Sequence, residues 1–238
     1  MSYKILKEGC CANLTTVIES DFRFWVNWLT DTRLTSNLQS VKLGDLYTIE
    51  SQMNYVEAEI KNGRKFFVAR SLAGSPLGVL SLTDFTNSSA HFTVFFGITS
   101  REKPLIPLES TALLVEHAFS TFDLKRLEGG TRAKGLKGYV DRLSAIGFLP
   151  DGMQVDGWVK GDLTEPTIRF SITKSFFYEI CLLRGGKLWP SDEYISKILV
   201  NLKRLKTNEF NYISDQYFKS ITDLNNTHKL LLLSAQKI

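Results

Sequence analysis

Lys65-Phe-Phe-Val-Ala-Arg70, Leu77-Gly-Val-Leu-Ser-Leu-Thr83 and Ala90-His-Phe-Thr-Val-Phe-Phe-Gly-Ile98 follow one another in close succession. Each run is rich in β-branched and aromatic residues, and turn formers separate them: Ala73-Gly-Ser-Pro76 first, then Asp84 to Ser89. This pattern predicts three strands joined by hairpins, an antiparallel meander. Around it the periodicity is helical. Upstream, Ser20 to Leu38 places Phe22, Trp25, Val26, Trp28 and Leu29 at helical spacing, and Thr48 to Lys61 forms a second amphipathic stretch ended by Asn62-Gly63. Downstream, Pro107 to Phe122 reads as a helix with proline in its first turn, where the missing N–H costs nothing.

The remaining order is a strand from Lys125 to Arg132, a short helix from Gly138 to Ile146 stopped by Gly147, and two strands near Gly157–Val159 and Thr167–Ile172. From Lys174 the chain turns helical, with breaks at Gly185-Gly186 and Pro190. Helices, antiparallel strands, helix, strand, helix and two strands make an α+β fold. Its mixed, mostly antiparallel central sheet is flanked by helices and followed by a helical C-terminal extension. We expect a domain over residues 1–182 and the extension over 183–238.

Composition narrows the classes. Hydrophobic residues at 43% and charged residues at 23% suit a chain that buries a real core, which excludes disorder as the main reading. No apolar run reaches the ~20 residues of a membrane-spanning helix, and the N-terminus lacks an apolar run of signal-peptide length. Three cysteines, two of them adjacent (Cys10, Cys11), offer no disulfide framework, so a cytoplasmic location is expected. The net charge is +4, and nine bases against five acids from Arg184 onward carry all of it. Scattered lysines of this kind argue against nucleic acid, whose footprint is a dense basic stripe.

No Walker loop, Gly-x-Gly-x-x-Gly, His-Glu-x-x-His or Gly-x-Ser-x-Gly motif is present. His91, His117 and His228 are few and scattered, so no metal site is expected. Several stretches instead resemble the GNAT superfamily of acyl-CoA N-acyltransferases. Trp25-Val-Asn-Trp-Leu-Thr-Asp31 is similar to its acceptor-side first helix. The strands with Leu77-Gly-Val-Leu80 are similar to its paired strands with Ile-Gly-x-Ile, Glu116-His-Ala-Phe119 to the end of its cofactor helix, and Leu143-Ser-Ala-Ile-Gly-Phe148 with Asp151-Gly152 to its Gly-Phe passage. The likeness covers about residues 5–180 and is nearest to two branches, which acetylate ribosomal-protein N-termini and nucleotide-linked amino sugars.

The resemblance implies acyl transfer from an acyl-CoA, acetyl-CoA first, to a primary amine. A nucleotide-linked amino sugar is the first choice of acceptor and a protein N-terminus the second. It implies that pantetheine pairs with the strand edge at Phe95, Phe96, Gly97 and Ile98. The pyrophosphate would meet Arg101, Lys103, Leu105, Ile106, Leu108, Ser110 and Thr111 at the following loop and helix. This loop departs from the family: Leu105 and Pro107 stand at its glycine positions, and Glu109 is expected to set a carboxylate near the anion. Leu143 replaces the family's acid tyrosine, with Tyr139 one turn earlier as substitute, and His91 is the candidate base. Trp28, Asp31 and Asp84 are candidates for the acceptor. The alternative is a GNAT-shaped binding or scaffold protein without catalysis. The apolar residues of the extension, among them Ile195, Ile198, Leu199 and Leu202, require a buried face, on this domain or across a homodimer.

Overall fold

The computed structural model describes residues 2–36, 38, 47–98, 105–132, 142–205 and 219. Among them, eight strands form one sheet. Its spatial order is β1 (Ile5–Lys7), β2 (Ala12–Thr16), β3 (Lys65–Ser71), β4 (Pro76–Thr83), β5 (Ser89–Phe96), β6 (Arg126–Arg132), β8 (Leu163–Thr173) and β7 (Leu149–Lys160). All neighbours pair antiparallel except β5 and β6, which are parallel. The expected meander is β3-β4-β5, and it is extended by β1 and β2, which the sequence reading did not place. Asn13, Thr15 and Thr16 blur the apolar alternation there, and the strands exist because β3 offers an edge. The predicted strands near Gly157–Val159 and Thr167–Ile172 are the cores of the longer β7 and β8.

Alternation across the pleat divides the side chains between two layers. On one face Phe67, Leu80, Leu82, Phe92, Leu127, Phe170 and Ile172 pack with α4 (Ile106–Thr121) in the main core. On the other, Val79, Phe66 and Phe95 meet α1 (Phe22–Thr30) and α3 (Ile49–Lys61), where Phe22, Trp25, Leu29 and Val56 are buried. The single long helix expected to Leu38 is broken at Asp31. That residue has extended backbone (φ −81°, ψ 104°), and its carboxylate caps the short α2 (Thr32–Thr35) by accepting the Arg33 N–H. A buried ion pair fastens α1 to β3: Arg70 Nη2 lies 2.6 Å from Asp21 Oδ2, and the Tyr3 ring covers the guanidinium at 4.2 Å.

α4 is buried almost all round because the C-terminal part covers its far side. After α5 (Lys174–Leu183), Leu188, Trp189 and Ile195 are 0%, 4% and 0% exposed and belong to the main core. The Leu188 N–H donates to Glu116 on α4 at 2.7 Å, and Arg184 donates to the Ala145 and Leu188 carbonyls at 2.8 Å. α6 (Asp192–Leu205) follows. The described part of the extension therefore buries its apolar face on its own chain. Among the described residues no helix is long and apolar enough to cross a membrane.

Candidate active site

The site begins where two parallel strands part. β5 pairs with β4 up to Phe96, but with β6 only from Ser89 to His91, while β6 stays on β8 as far as Arg132. Beyond His91 the sheet is therefore forked. The Gly97 N–H donates to the Leu77 carbonyl at 2.9 Å. By the alternation of an antiparallel ladder, Val94 and Phe96 then direct their backbone N–H and C=O groups away from β4, into the fork. An aromatic wedge fills the α4 side of its closed end: Phe92 lies 4.9 Å from Phe148 and 5.8 Å from Phe170 between ring centroids. Gly129 on β6 makes room for it, since a Cβ there would come within 2.8 Å of the Phe92 ring and 2.5 Å of Phe170.

Of the two adjacent phenylalanines, both pack, on opposite sides. Phe95 meets Trp28 edge-on at 6.3 Å, and Phe96 joins Ile98 against Ala12, Leu77 and Ile106. The Trp28 indole also lies on Gly97, so the structure brings this candidate acceptor residue to the open end of the fork.

α4 is the next described element after β5. Pro107 has no N–H, and Glu109 donates its own to Leu105 at 2.8 Å. Ile106 and Leu108 stand in the first turn of α4, where helix geometry gives an N–H no acceptor inside the helix and turns it toward an anion. The side chains expected to help do not point outward. Ile106, Leu108, Ser110 and Thr111 are buried, Leu105 is partly so, and the Thr111 hydroxyl donates to the Pro107 carbonyl at 2.8 Å. Glu109 departs most from expectation. Its carboxylate is fully buried and accepts the N–H groups of Cys10, Cys11 and Ala12 in the β1–β2 turn, so its charge is taken up there. Arg101, Lys103 and Tyr139 lie outside the described residues.

On the α1 face, His91 sits at the last paired position of the fork, opposite Glu128. Burial first, and then Arg169, hold its imidazole below the usual range, with Asp84 and Glu128 opposing. At neutral pH it is an uncharged base. Asp84 is exposed at the end of β4 with φ 51° and reaches His91 through its charge alone. Asp31, by contrast, is engaged: bonds from Arg33 lower its carboxyl to about 2.

Two groups that the sequence reading missed complete this face. Arg64 spans Ser81 (3.0 Å), Thr93 (3.1 Å), Tyr55 (3.1 Å) and Glu59 (3.0 Å) beside the β4–β5 surface. Further along, the Arg132 guanidinium lies 5.1 Å from the Trp158 ring centroid and 3.8 Å from Glu165. Arg132 Nε, Glu165 Oε2 and Thr167 Oγ1 are buried and find no hydrogen-bond partner among the described residues. Register pairs Arg132 with Thr167 and Trp158 with Glu165 on the face that carries His91 and Glu128. Lys160 ties this strand pair to α2 by donating to the Thr35 carbonyl at 2.9 Å. No short motif links these positions; only the register gathers them.

No protein-family model matches the sequence, and no curated protein matches it. Solved structures do match in fold. Spermidine N-acetyltransferase from Vibrio cholerae, in complex with CoA and spermine, superposes with a TM-score of 0.60 at 16% identity, over 70% of this chain and 98% of that one. Mycobacterium smegmatis RimJ, in complex with CoA-disulfide, gives 0.60 and 16%, over 72% and 88%. A GNAT-family acetyltransferase from Bacillus anthracis gives 0.59 and 13%, over 73% and 99%. The chain has the GNAT fold.

Proposed function

We propose that the protein is an N-acyltransferase that moves an acyl group, acetyl first, from acyl-CoA to a primary amine, with residues 1–182 as its catalytic unit. The fork between β5 and β6 carries this reading. A pantetheine arm laid in it would pair with Val94 and Phe96 as an added strand. The pyrophosphate would meet the Ile106 and Leu108 N–H groups, with Arg101 and Lys103 adding charge. The two CoA-bound structures of the same fold, the spermidine N-acetyltransferase and RimJ, support it.

The chemistry is direct transfer. The amine nitrogen attacks the thioester carbonyl, an N–H at the fork edge stabilises the developing oxyanion, and the C–S bond breaks. His91 accepts the proton that the amine loses, and Tyr139 protonates the departing thiolate. Trp28 walls the acceptor side. A nucleotide-linked amino sugar is the preferred acceptor, because Arg132, Glu165 and Thr167 carry donors and acceptors that no other described residue uses, beside the Trp158 ring, which suits a hydroxylated ring. A protein N-terminus is the second choice. Three free thiols fit a reducing, cytoplasmic setting.

Titration calorimetry with acetyl-CoA and CoA, followed by thiol release against amino sugars and peptides, tests the reading. Saturable binding with turnover is expected, and no binding at millimolar ligand overturns it. Pro107, which removes one N–H from the first turn of α4, favours a second reading: a binding protein of the same shape. Acetyl-CoA binding without turnover of any amine would select that one.

A further inference from the structure

At the start of α4 the structure gathers metal-binding donors from three remote parts of the chain. Cys10 lies in the β1–β2 turn, Glu109 in the first turns of α4, and Asp192 at the first residue of α6. The Cys10 Sγ and one carboxylate oxygen of each acid all lie within 4.8 Å of one another. Glu109 is buried, Asp192 is half-buried and Cys10 is exposed, so the group is open on one side.

The two carboxylates are held from outside the group. Glu109 takes the N–H groups of Cys11 and Ala12 at 2.9 and 3.0 Å, besides that of Cys10. Asp192 takes the Trp189 indole N–H at 2.9 Å and the Cys11 thiol at 2.7 Å. None of the ion pairs among the described residues involves either acid. The cation that acts on Cys10 is Lys187.

We propose that Cys10, Glu109 and Asp192 form a divalent-cation site of zinc type, with Cys11 orienting Asp192 from behind. One sulfur and two oxygens match a borderline ion, whereas magnesium and calcium take oxygen alone. Zinc accepts sulfur at ~2.3 Å and carboxylate oxygen at ~2.0–2.2 Å, with a fourth position for water. Small side-chain adjustments bring the three donors to those distances. The thiol proton leaves to solvent as the Zn–S bond forms. The bound ion would fasten α6 to α4 and to the β1–β2 turn, at the first turns of α4. Cys11 packs on the Ala12, Leu77 and Ile106 cluster that also receives Phe96, so the ion would stiffen the same end of the fork. The site is independent of the acyl-transfer reading.

The test uses the full chain stripped by a chelator and titrated with zinc against a chromophoric competitor, then with cobalt(II). We expect one ion per chain, a thiolate-to-cobalt charge-transfer band and a higher melting temperature with zinc. Cys10→Ser and Asp192→Asn each weaken zinc binding at least about tenfold, while Cys181→Ser leaves it unchanged. Cys10 is exposed, so its variant keeps the fold, which circular dichroism verifies. Absence of saturable zinc binding overturns the proposal, as does an affinity that Cys10→Ser and Asp192→Asn leave intact.

Discussion

The indole of Trp28 lies on the backbone of Gly97: a Cβ at position 97 would stand 2.0 Å from the ring. A helix residue and a strand end, distant in sequence, thus share one surface at the mouth of the fork. The contact requires glycine for close approach rather than for an unusual φ. It couples the first helix to the edge on which a pantetheine would lie.

Gly97→Ala therefore displaces the indole and costs about 1–3 kcal/mol, as overpacking does. In a Trp28→Ala background the same change costs well under ~1 kcal/mol, because nothing is left to clash. Urea unfolding of the four proteins measures the coupling. Equal costs in both backgrounds would show that the contact does not matter.

His91 sets the pH dependence of the proposed transfer. Its pKa is held below the usual ~6.5, so the rate falls only as pH drops below that value, through the depressed pKa. His91→Ala lowers kcat/KM by about 10²–10⁴-fold and removes that acid limb. A pH–rate profile that keeps the limb in the variant assigns it to another group.

The two described histidines, both half-buried, also affect stability. Burial lowers His91 and His117 in the folded chain, so the unfolded chain binds more protons at mildly acid pH. Their stabilising contribution is complete above the unfolded pKa of ~6.5 and is lost as pH falls from there toward the folded values. Melting temperature should fall from about pH 7.5 to about pH 5.5, less steeply in His91→Gln/His117→Gln. An unchanged slope in the double variant refutes this.

Arg70→Met leaves Asp21 buried without its counter-ion, with both side chains only 3% exposed. The loss should be about 3–5 kcal/mol, and Asp21→Asn added to it should recover part. Denaturant midpoints of the single and double variants decide; a single variant as stable as the parent would place the ion pair among those that do not matter.

Cutting the chain after Leu183 removes Leu188, Trp189 and Ile195 from the core and bares one side of α4. The fragment should aggregate or lose most of its stability, and Trp189→Ala in the whole chain should cost ~3–5 kcal/mol. A soluble, monomeric and equally stable fragment would make the extension an independent appendage.

Arg132→Met raises the acceptor KM about tenfold or more, through loss of charge-assisted hydrogen bonds, and leaves acetyl-CoA binding unchanged. Steady-state kinetics with a nucleotide-linked amino sugar, beside calorimetry with acetyl-CoA, separates the two. An unaltered KM removes Arg132 from the acceptor site.

The helices α3 and α4, the β3-β4-β5 meander and the stop at Gly147 were legible in the sequence, because a period of two or of 3.6 residues and a turn former act over a few neighbours. The kink at Asp31 and the strand Ala12–Thr16 were not. The first depends on the carboxylate reaching the Arg33 N–H, and the second on an edge supplied by β3. Glu109 shows the limit most clearly. In sequence it is an acid at a helix start, next to an expected anion. In the fold, backbone groups of Cys10, Cys11 and Ala12, as much as 99 residues away, take up its charge. The fork itself, Trp28 on Gly97, and Arg132 beside Trp158 and Glu165 depend on strand register and helix packing. Those are set by the whole core at once, because a contact between remote residues has its energy only after every intervening element is in place.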